Sequence, residues 1–339
     1  MSTVPQTPGP MARPGIRAIL RRALESEVGL RVGLLVFLFA EIVVFSLWSK
    51  EFLSAGNLLN AGRATGMLAI ISVGATFGLI SGALDISIGS VIALGATVGT
   101  QVIILGQPAV VAVAAAILVG AAAGFVNGVN VAKLRVNPII ATLAMLGIAR
   151  GVAYIIDGGT GVVEDKMANV PVSAGFNIMQ DDLAGIPLPI LVAAVVMILG
   201  HVVLSKTRFG RYAYAVGNSP SSSRAVAIPV DRLRIAYLTL SGFLAGLAGW
   251  VFASMAGGLG SAVAQGYELT AITAVIVGGT ALAGGRGNLL GTLLGVLILG
   301  VMVNGMTLAG IPLFYQLMGQ GFVLLVAVAL DAVRSGGYR

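Results

Sequence analysis

Residues 64–105 read ATGMLAIISVGATFGLISGALDISIGSVIALGATVGTQVIIL, a run of 42 residues in which Asp85 is the one ionisable side chain. An α-helix needs about 20 mainly apolar residues to cross a hydrocarbon core roughly 30 Å thick. The run is therefore long enough for two crossings, Ala64 to Ser81 and Ile86 to Leu105, with a break around Gly82 to Asp85. A barrel strand would alternate apolar and polar residues, whereas these segments stay apolar for about five turns, so their backbone hydrogen bonds close within each helix. The fold class this predicts is an all-α integral membrane protein.

Outward from that run the character persists. The chain has 339 residues, 57% of them hydrophobic and 10% charged, and its mean hydropathy of +0.99 is more than one soluble core can absorb. Further spans are expected at Val32 to Trp48, Pro108 to Val131, Pro138 to Ile156, Ile186 to Leu204, Ile235 to Ala256, Leu269 to Ala283, Leu289 to Leu308 and Leu313 to Leu330, about ten in all. Leu269 to Ala283 is short and rich in Gly and Thr, which suits a broken or re-entrant helix as well as a crossing. Residues 1–31 hold five arginines and four prolines and read as a cytoplasmic tail. Val32 to Trp48 exceeds a usual signal-peptide core, lacks a small-x-small cleavage site and precedes many more spans, so it is read as a retained helix.

Charge sets the expected orientation. With the N-terminus in the cytosol, Lys133, Arg135, Lys206, Arg208, Arg211, Arg224, Arg232, Arg234, Arg286, Arg334 and Arg339 all lie inside, as the positive-inside rule requires. The loop 157–185 carries Asp157, Glu164, Asp165, Asp181 and Asp182 against Lys166 and falls outside; Lys50 and Arg63 are exceptions. A transmembrane region 32–333 then ends in a short cytoplasmic tail, 334–339. This distribution accounts for the net charge of +7 without nucleic acid. There is no cysteine, which excludes disulfides, thiolate metal sites and thiol nucleophiles.

Small residues recur at four-residue spacing, as Gly120, Gly124, Gly128 and as Gly287, Gly291, Gly295, a pattern that lets helix backbones approach closely. Val126-Asn127-Gly128 returns as Val303-Asn304-Gly305, which hints at an internal repeat. No catalytic, cofactor or metal constellation is expected: His201 stands alone, and Gly284 to Gly291 lacks the Gly-Lys-Ser/Thr ending of a phosphate loop, the G-x-G-x-x-G spacing and a preceding strand.

Two features carry functional readings. In the basic loop 206–234, Asn218 or Ser219 can cap a helix, Pro220 suits its first position, Ser221 to Ile228 can form two turns and Pro229 stops it. Such a helix, lying along the membrane, fits docking into a partner's cleft; composition alone is equally compatible with a solvated basic loop. Asp85, an acid inside an apolar run, is either a functional group or a carboxylate accepting the free N–H groups at the start of the next helix. Glu41 and Arg150 are the other ionisable residues expected within spans, and Glu268 follows the outer glycine-rich turn.

The set Phe52-Leu53-Ser54 with Asn57-Leu58, Gly82-Ala83-Leu84-Asp85-Ile86-Ser87-Ile88-Gly89-Ser90, Asn127-Gly128, Pro138-Ile139-Ile140-Ala141-Thr142-Leu143, Arg150-Gly151, Thr207-Arg208-Phe209-Gly210-Arg211, Tyr214-Ala215-Val216-Gly217-Asn218, Tyr267-Glu268-Leu269, Gly278-Gly279-Thr280 and Gly284-Gly285 occurs in order over residues 52–331. It resembles the ribose, xylose and arabinose-type permeases of ABC importers. The resemblance implies a type II-like bundle of about ten spans in the bacterial cytoplasmic membrane. It also implies a second permease subunit, a cytoplasmic ABC ATPase that hydrolyses the ATP, and an extracytoplasmic sugar-binding protein. On the same basis Arg208, Gly210, Arg211, Asn218, Ser219, Pro220, Ser222, Arg224 and Ile228 are expected to couple to the ATPase. Asp85, Asn127, Asn130, Thr142 and Asn304 are expected along a path for a sugar or polyol. The chain departs from the family at Ala83, at Ser221 to Ser223 and at Ala227. A permease for branched-chain amino acids and an ion-coupled secondary transporter are the alternatives; the second would call for more ionisable groups within the spans.

Overall fold

The computed structural model describes residues 27–159 and 175–335. The tail 1–26, the middle of the expected outer loop at 160–174 and the last four residues lie outside the described residues.

Among the described residues twelve α-helices follow one another: α1 (Glu27–Trp48), α2 (Ala55–Ile80), α3 (Ile88–Ile104), α4 (Ala109–Ala132), α5 (Pro138–Asp157), α6 (Leu188–Lys206), α7 (Arg208–Asn218), α8 (Pro220–Ala225), α9 (Val230–Ala256), α10 (Tyr267–Val277), α11 (Leu289–Leu308) and α12 (Leu313–Ser335). A 3-10 turn at Phe176–Gln180 and the paired strands β1 (Asp182–Leu183) and β2 (Ile186–Pro187) precede α6. Eight of these helices, α1, α2, α4, α5, α6, α9, α11 and α12, are long and apolar enough to cross a membrane. The apolar helices α3 and α10 are shorter, so the expected count of about ten spans is approached, with eight helices long enough to cross.

The differences from expectation have local causes. Helix α2 starts well before Ala64 because Ser54 caps it, its hydroxyl accepting from Asn57 N at 3.3 Å, and because Phe52 is buried beside Phe45 with ring centroids 5.8 Å apart. The segment expected to cross at 269–283 is a helix of only 11 residues: α10 stops at Val277, where Gly278 lies backbone to backbone on Gly291 and Gly279 turns at φ +92°. The loop 206–234 is largely helical, and α8 ends at Ala225, short of Ile228, because Ala227 takes a left-handed conformation at φ +60°.

The bundle has a basic end, with Lys133, Lys206, α7, α8 and Arg286, and an acidic end with Asp157 and Asp182. Its most extensive close seam joins α4 to α9. A methyl group added at Gly120 would stand 2.3 Å from Gly242 O, one at Gly124 2.2 Å from Leu238 O, and one at Gly242 2.2 Å from Gly120 O. Only glycine permits that approach. A second seam joins α10 to α11 through Gly278, Gly291 and Gly295, the last facing Ala274 O. Gly287, the first member of the second stripe, instead sits in the turn before α11 at φ +145°.

The order α2–α5 recurs upside down as α9–α12. Helix α2 runs toward the basic end; Ser81 to Ser87 then leave the helix, and α3 resumes inside the bundle. Helix α9 runs toward the acidic end; Gly257 to Gly266 leave the helix, and α10 resumes inside the bundle. In this correspondence Asn127-Gly128 of α4 matches Asn304-Gly305 of α11, as the repeated tripeptide suggested. The starts of the two short helices meet: the Glu268 carboxylate and Ala264 O press on Gly89 so closely that no side chain fits there. Inverted repeats meeting at broken helices are a recurrent plan among membrane transporters.

Candidate functional site

Two polar regions stand out, one on the surface of the basic end and one buried within the bundle.

The surface region begins where α6 turns into α7. Thr207 Oγ1 accepts from Gly210 N at 3.3 Å and donates to Val203 O at 2.6 Å, and Gly210 lies against Leu204 O with no room for a Cβ. Helix α7 buries Gly210, Ala213 and Val216 and presents Arg208 and Arg211 to the outside. The Phe209 ring lies tilted against that of Tyr237 of α9, with centroids 4.6 Å apart, and the Tyr237 hydroxyl donates to Phe209 O at 2.8 Å. At its far end α7 is tied to the α10–α11 turn: Tyr214 OH donates to Gly287 O at 2.8 Å and Asn218 Nδ2 to Gly285 O at 3.2 Å. Gly285 N in turn donates to Ile80 O, the last residue of α2, at 2.8 Å, and Gly217 is pressed onto the same carbonyl.

Helix α8 projects beyond this base. Ser219 is its N-cap, with Oγ accepting from Ser222 N at 3.2 Å, and Pro220 occupies the first turn, where a missing N–H is harmless. Ser223 points inward, while Ser221, Ser222, Arg224, Ala225 and Val226 are exposed, Val226 at 70%. Arg224 reaches Asp231 at the start of α9 at 2.8 Å, which closes the hairpin. Of the nine residues expected to couple, Arg208, Arg211, Asn218, Ser222 and Arg224 are exposed here, Ser219 and Pro220 start the helix, and Gly210 and Ile228 lie against the bundle. The result is a firm plinth bearing a small knob with an apolar tip and a basic flank, a form suited to insertion into a cleft.

The buried region centres on Asp85, in the break between α2 and α3. Its Oδ1 accepts from Ser87 N at 2.9 Å and Ser87 Oγ at 2.6 Å, and its Oδ2 accepts from Ser241 Oγ of α9 at 2.7 Å. Asn127 Nδ2 of α4 donates to Ser87 Oγ at 3.0 Å. Asp85, Ser87, Asn127 and Ser241 are all buried, so the break before α3 meets α4 and α9 in one network in which Ser87 and Ser241 bond the carboxylate directly. Asp85 thus accepts one backbone N–H at the start of α3, that of Ser87, which holds the capping position without a side-chain cap bond of its own. Thr142 is buried nearby, its hydroxyl donating to Pro138 O at 2.9 Å and lying 3.4 Å from Leu84 O. Asn130, half-buried, lends its carbonyl to Val136 N at the turn into α5. Asn304 belongs elsewhere: it exchanges amide hydrogen bonds of 2.9 and 2.8 Å with Asn57 toward the acidic end.

Among the described residues Arg150 pairs with carbonyls. Its Nη1 donates to Ser261 O at 2.5 Å and Val263 O at 2.7 Å, while Asp157 Oδ2 accepts from Ser261 N at 2.8 Å. The half of α5 toward the acidic end thereby holds the chain segment that dips inward to start α10. Ser241 was the participant that sequence reading missed; a hydroxyl in mid-span, directly before Gly242 of the tight seam, was the available signal.

Comparisons with known proteins agree with this architecture. A family model described as branched-chain amino acid transport system / permease component matches residues 57–328. The chain is 38% identical over 297 residues to the ribose import permease protein RbsC of Escherichia coli (strain K12), which covers 88% of this chain and 92% of that one. It is 34% identical over 306 residues to the ribose import permease protein RbsC of Bacillus subtilis (strain 168), covering 90% and 94%. The L-arabinose transport system permease protein AraH of Escherichia coli (strain K12) is 34% identical over 308 residues, covering 91% and 92%. No solved structure gives a significant match.

Proposed function

The chain belongs to the branched-chain amino acid transport system permease family, and from that premise we propose that it is the membrane subunit of a binding-protein-dependent, ATP-driven importer of a monosaccharide of the ribose and arabinose class or a related polyol. The observation that carries the solute class is the near full-length identity to permeases named for ribose and L-arabinose, which favours sugar over branched-chain amino acids. The chain is a transport subunit; ATP hydrolysis belongs to a separate ATPase.

In this reading the basic end faces the cytosol, by the positive-inside rule, with both termini there. Helix α8 enters a cleft on the cytoplasmic ABC ATPase, and Arg208, Arg211, Asn218, Ser222 and Arg224 face that partner. The acidic end receives the extracytoplasmic sugar-binding protein. A second permease, identical or related, completes the path. Asn127, Asn130 and Thr142 mark the side of the bundle the solute passes, with Asn304 nearer the outer mouth and Asp85 holding the broken helix that moves. Closure of the ATPases shifts α8, and the bundle alternates between outward and inward openings through the differential contacts that α8 makes in the two states.

The test is purification of the full chain from its native membrane in mild detergent, with mass spectrometry of bound proteins and uptake of labelled ribose, arabinose and leucine by reconstituted vesicles. Recovery of an ATPase and ATP-dependent uptake of a sugar are expected. Recovery of the permease alone together with gradient-driven uptake, or uptake of leucine only, would refute the reading.

A further inference from the structure

The basic end holds a feature that the transport reading does not use. Helix α1 rests on α11, and α12 rests on α10 and α11, but α1 and α12 share no packed seam among the described residues. Between them opens a cavity of about 860 Å³. Its floor is the end of α10 and the glycine turn into α11, where the Leu30 side chain presses on Gly279. Its walls are apolar stripes, with Leu34 and Phe37 on α1 and Phe322, Val326 and Leu330 on α12. At 1.5 Å per helical residue, the walls run from Arg31 to Phe37 over about 9 Å and from Leu330 to Phe322 over about 12 Å. Arg31 and Arg286 stand at the rim together with Asp331.

Arg286 is more than half exposed, and its guanidinium is 3.9 Å from Asp331, beyond hydrogen-bonding distance. Asp331 is also engaged with the floor, its Oδ2 accepting from Leu282 N at 3.2 Å.

A sugar does not suit this groove, because apolar walls leave hydroxyls without partners. A soluble partner does not suit it either, because the walls descend to membrane depth. An amphiphile with an anionic head at the rim and a hydrocarbon chain along the walls satisfies both parts. We infer that the groove between α1 and α12 binds an anionic phospholipid of the leaflet at the basic end, its phosphate held by Arg31 and Arg286 and one acyl chain lying between Phe37 and Phe322. Basic residues at that level favour anionic lipid on general electrostatic grounds. The cytoplasmic identity of that leaflet rests on the orientation proposed above; the lipid site itself does not.

Native mass spectrometry of the delipidated full chain, titrated with phosphatidylglycerol and with phosphatidylcholine of the same acyl chains, tests this. Wild type should retain phosphatidylglycerol in preference. Arg31→Gln and Arg286→Gln should each weaken it about fivefold, and Val326→Trp, which fills the groove from an exposed position, should abolish the preferential adduct. Equal retention of the two lipids overturns the assignment, as does a preference unchanged in all three variants. Competition by glycerol phosphate as effective as by the lipid would also overturn it, leaving a simple anion site. A groove filled by the chain's own residues 1–26 or by a second copy would retain no lipid, and that outcome would overturn it too.

Discussion

Replacing Asp85 separates its two possible roles. Its carboxylate accepts three hydrogen bonds, from Ser87 N, Ser87 Oγ and Ser241 Oγ, in a fully buried setting. Asp85→Ala strands all three donors. Each buried orphan costs about 1–3 kcal/mol, the two hydroxyls can rotate toward other acceptors, and the side-chain volume is lost as well. A net destabilisation of about 3–5 kcal/mol is expected, large against the marginal stability of a folded protein. Asp85→Asn keeps the Oδ1 acceptor for Ser87 and turns an amide toward Ser241, whose hydroxyl can accept instead of donate. Its expected cost is about 1 kcal/mol. Thermal unfolding in detergent, followed by monodispersity on a sizing column, gives the stability order, and vesicle uptake of sugar gives function. If Asp85 acts as a strut, Asp85→Asn folds and transports near the wild-type rate while Asp85→Ala aggregates. An Asp85→Asn protein as stable as wild type yet without uptake would refute this reasoning and make Asp85 a solute or proton contact.

Three further outcomes follow from the geometry. Ser222→Glu with Arg224→Glu should insert normally but abolish ATPase stimulation by the loaded binding protein, since both side chains lie on the exposed face of α8; normal uptake would remove α8 as the coupling element. Gly124→Leu should prevent a folded product, because even a methyl there meets Leu238 O at 2.2 Å and the clash is with backbone; wild-type thermal stability would contradict the seam. Alanine at Asn57, at Asn304 and at both should give a coupling energy of about 0.6–1.7 kcal/mol in a double-mutant cycle of unfolding. Additive effects would mean that the amide exchange contributes nothing.

Much of the architecture was legible because lipid makes composition speak directly: long apolar runs place helices, and arginines and lysines gather at one end. The break at Gly82 to Asp85 was legible for the same reason, as an acid in an apolar run needs free backbone N–H groups close by. Short helices were harder. The end of α10 depends on Gly278 meeting Gly291 across a helix pair, and the shape of α7 depends on Phe209, Tyr214 and Asn218 finding partners up to 73 residues away; neither is a local property. The residues expected along the path divide on the same ground. Asn127 and Asn304 look equivalent in sequence, yet one binds Ser87 and the other Asn57; the inverted repeat puts them toward opposite ends of the bundle but does not itself set their partners.

That inversion gives the proposed coupling a physical route. A displacement of α8 acts on α7, with which it shares Ser219. Through Tyr214 and Asn218, α7 is bonded to the Gly285 to Gly287 turn, and Gly285 is bonded to the end of α2. The same push therefore reaches both short helices: α3 through the break that begins one residue beyond Ile80, and α10 through the turn that follows it. Their starts press together at Gly89 and Glu268, so a small shift at the basic end alters the contact between the two halves inside the bundle. Asp85 fastens one side of that contact to α9 and α4, while Arg150 and Asp157 fasten the other side to α5. A packed interior resists graded deformation and favours discrete arrangements. These bonds cross between the repeats, from Asp85 of the first to Ser241 of α9 and from Arg150 and Asp157 of α5 to the chain before α10, so both halves are tied together on either side of the Gly89–Glu268 contact.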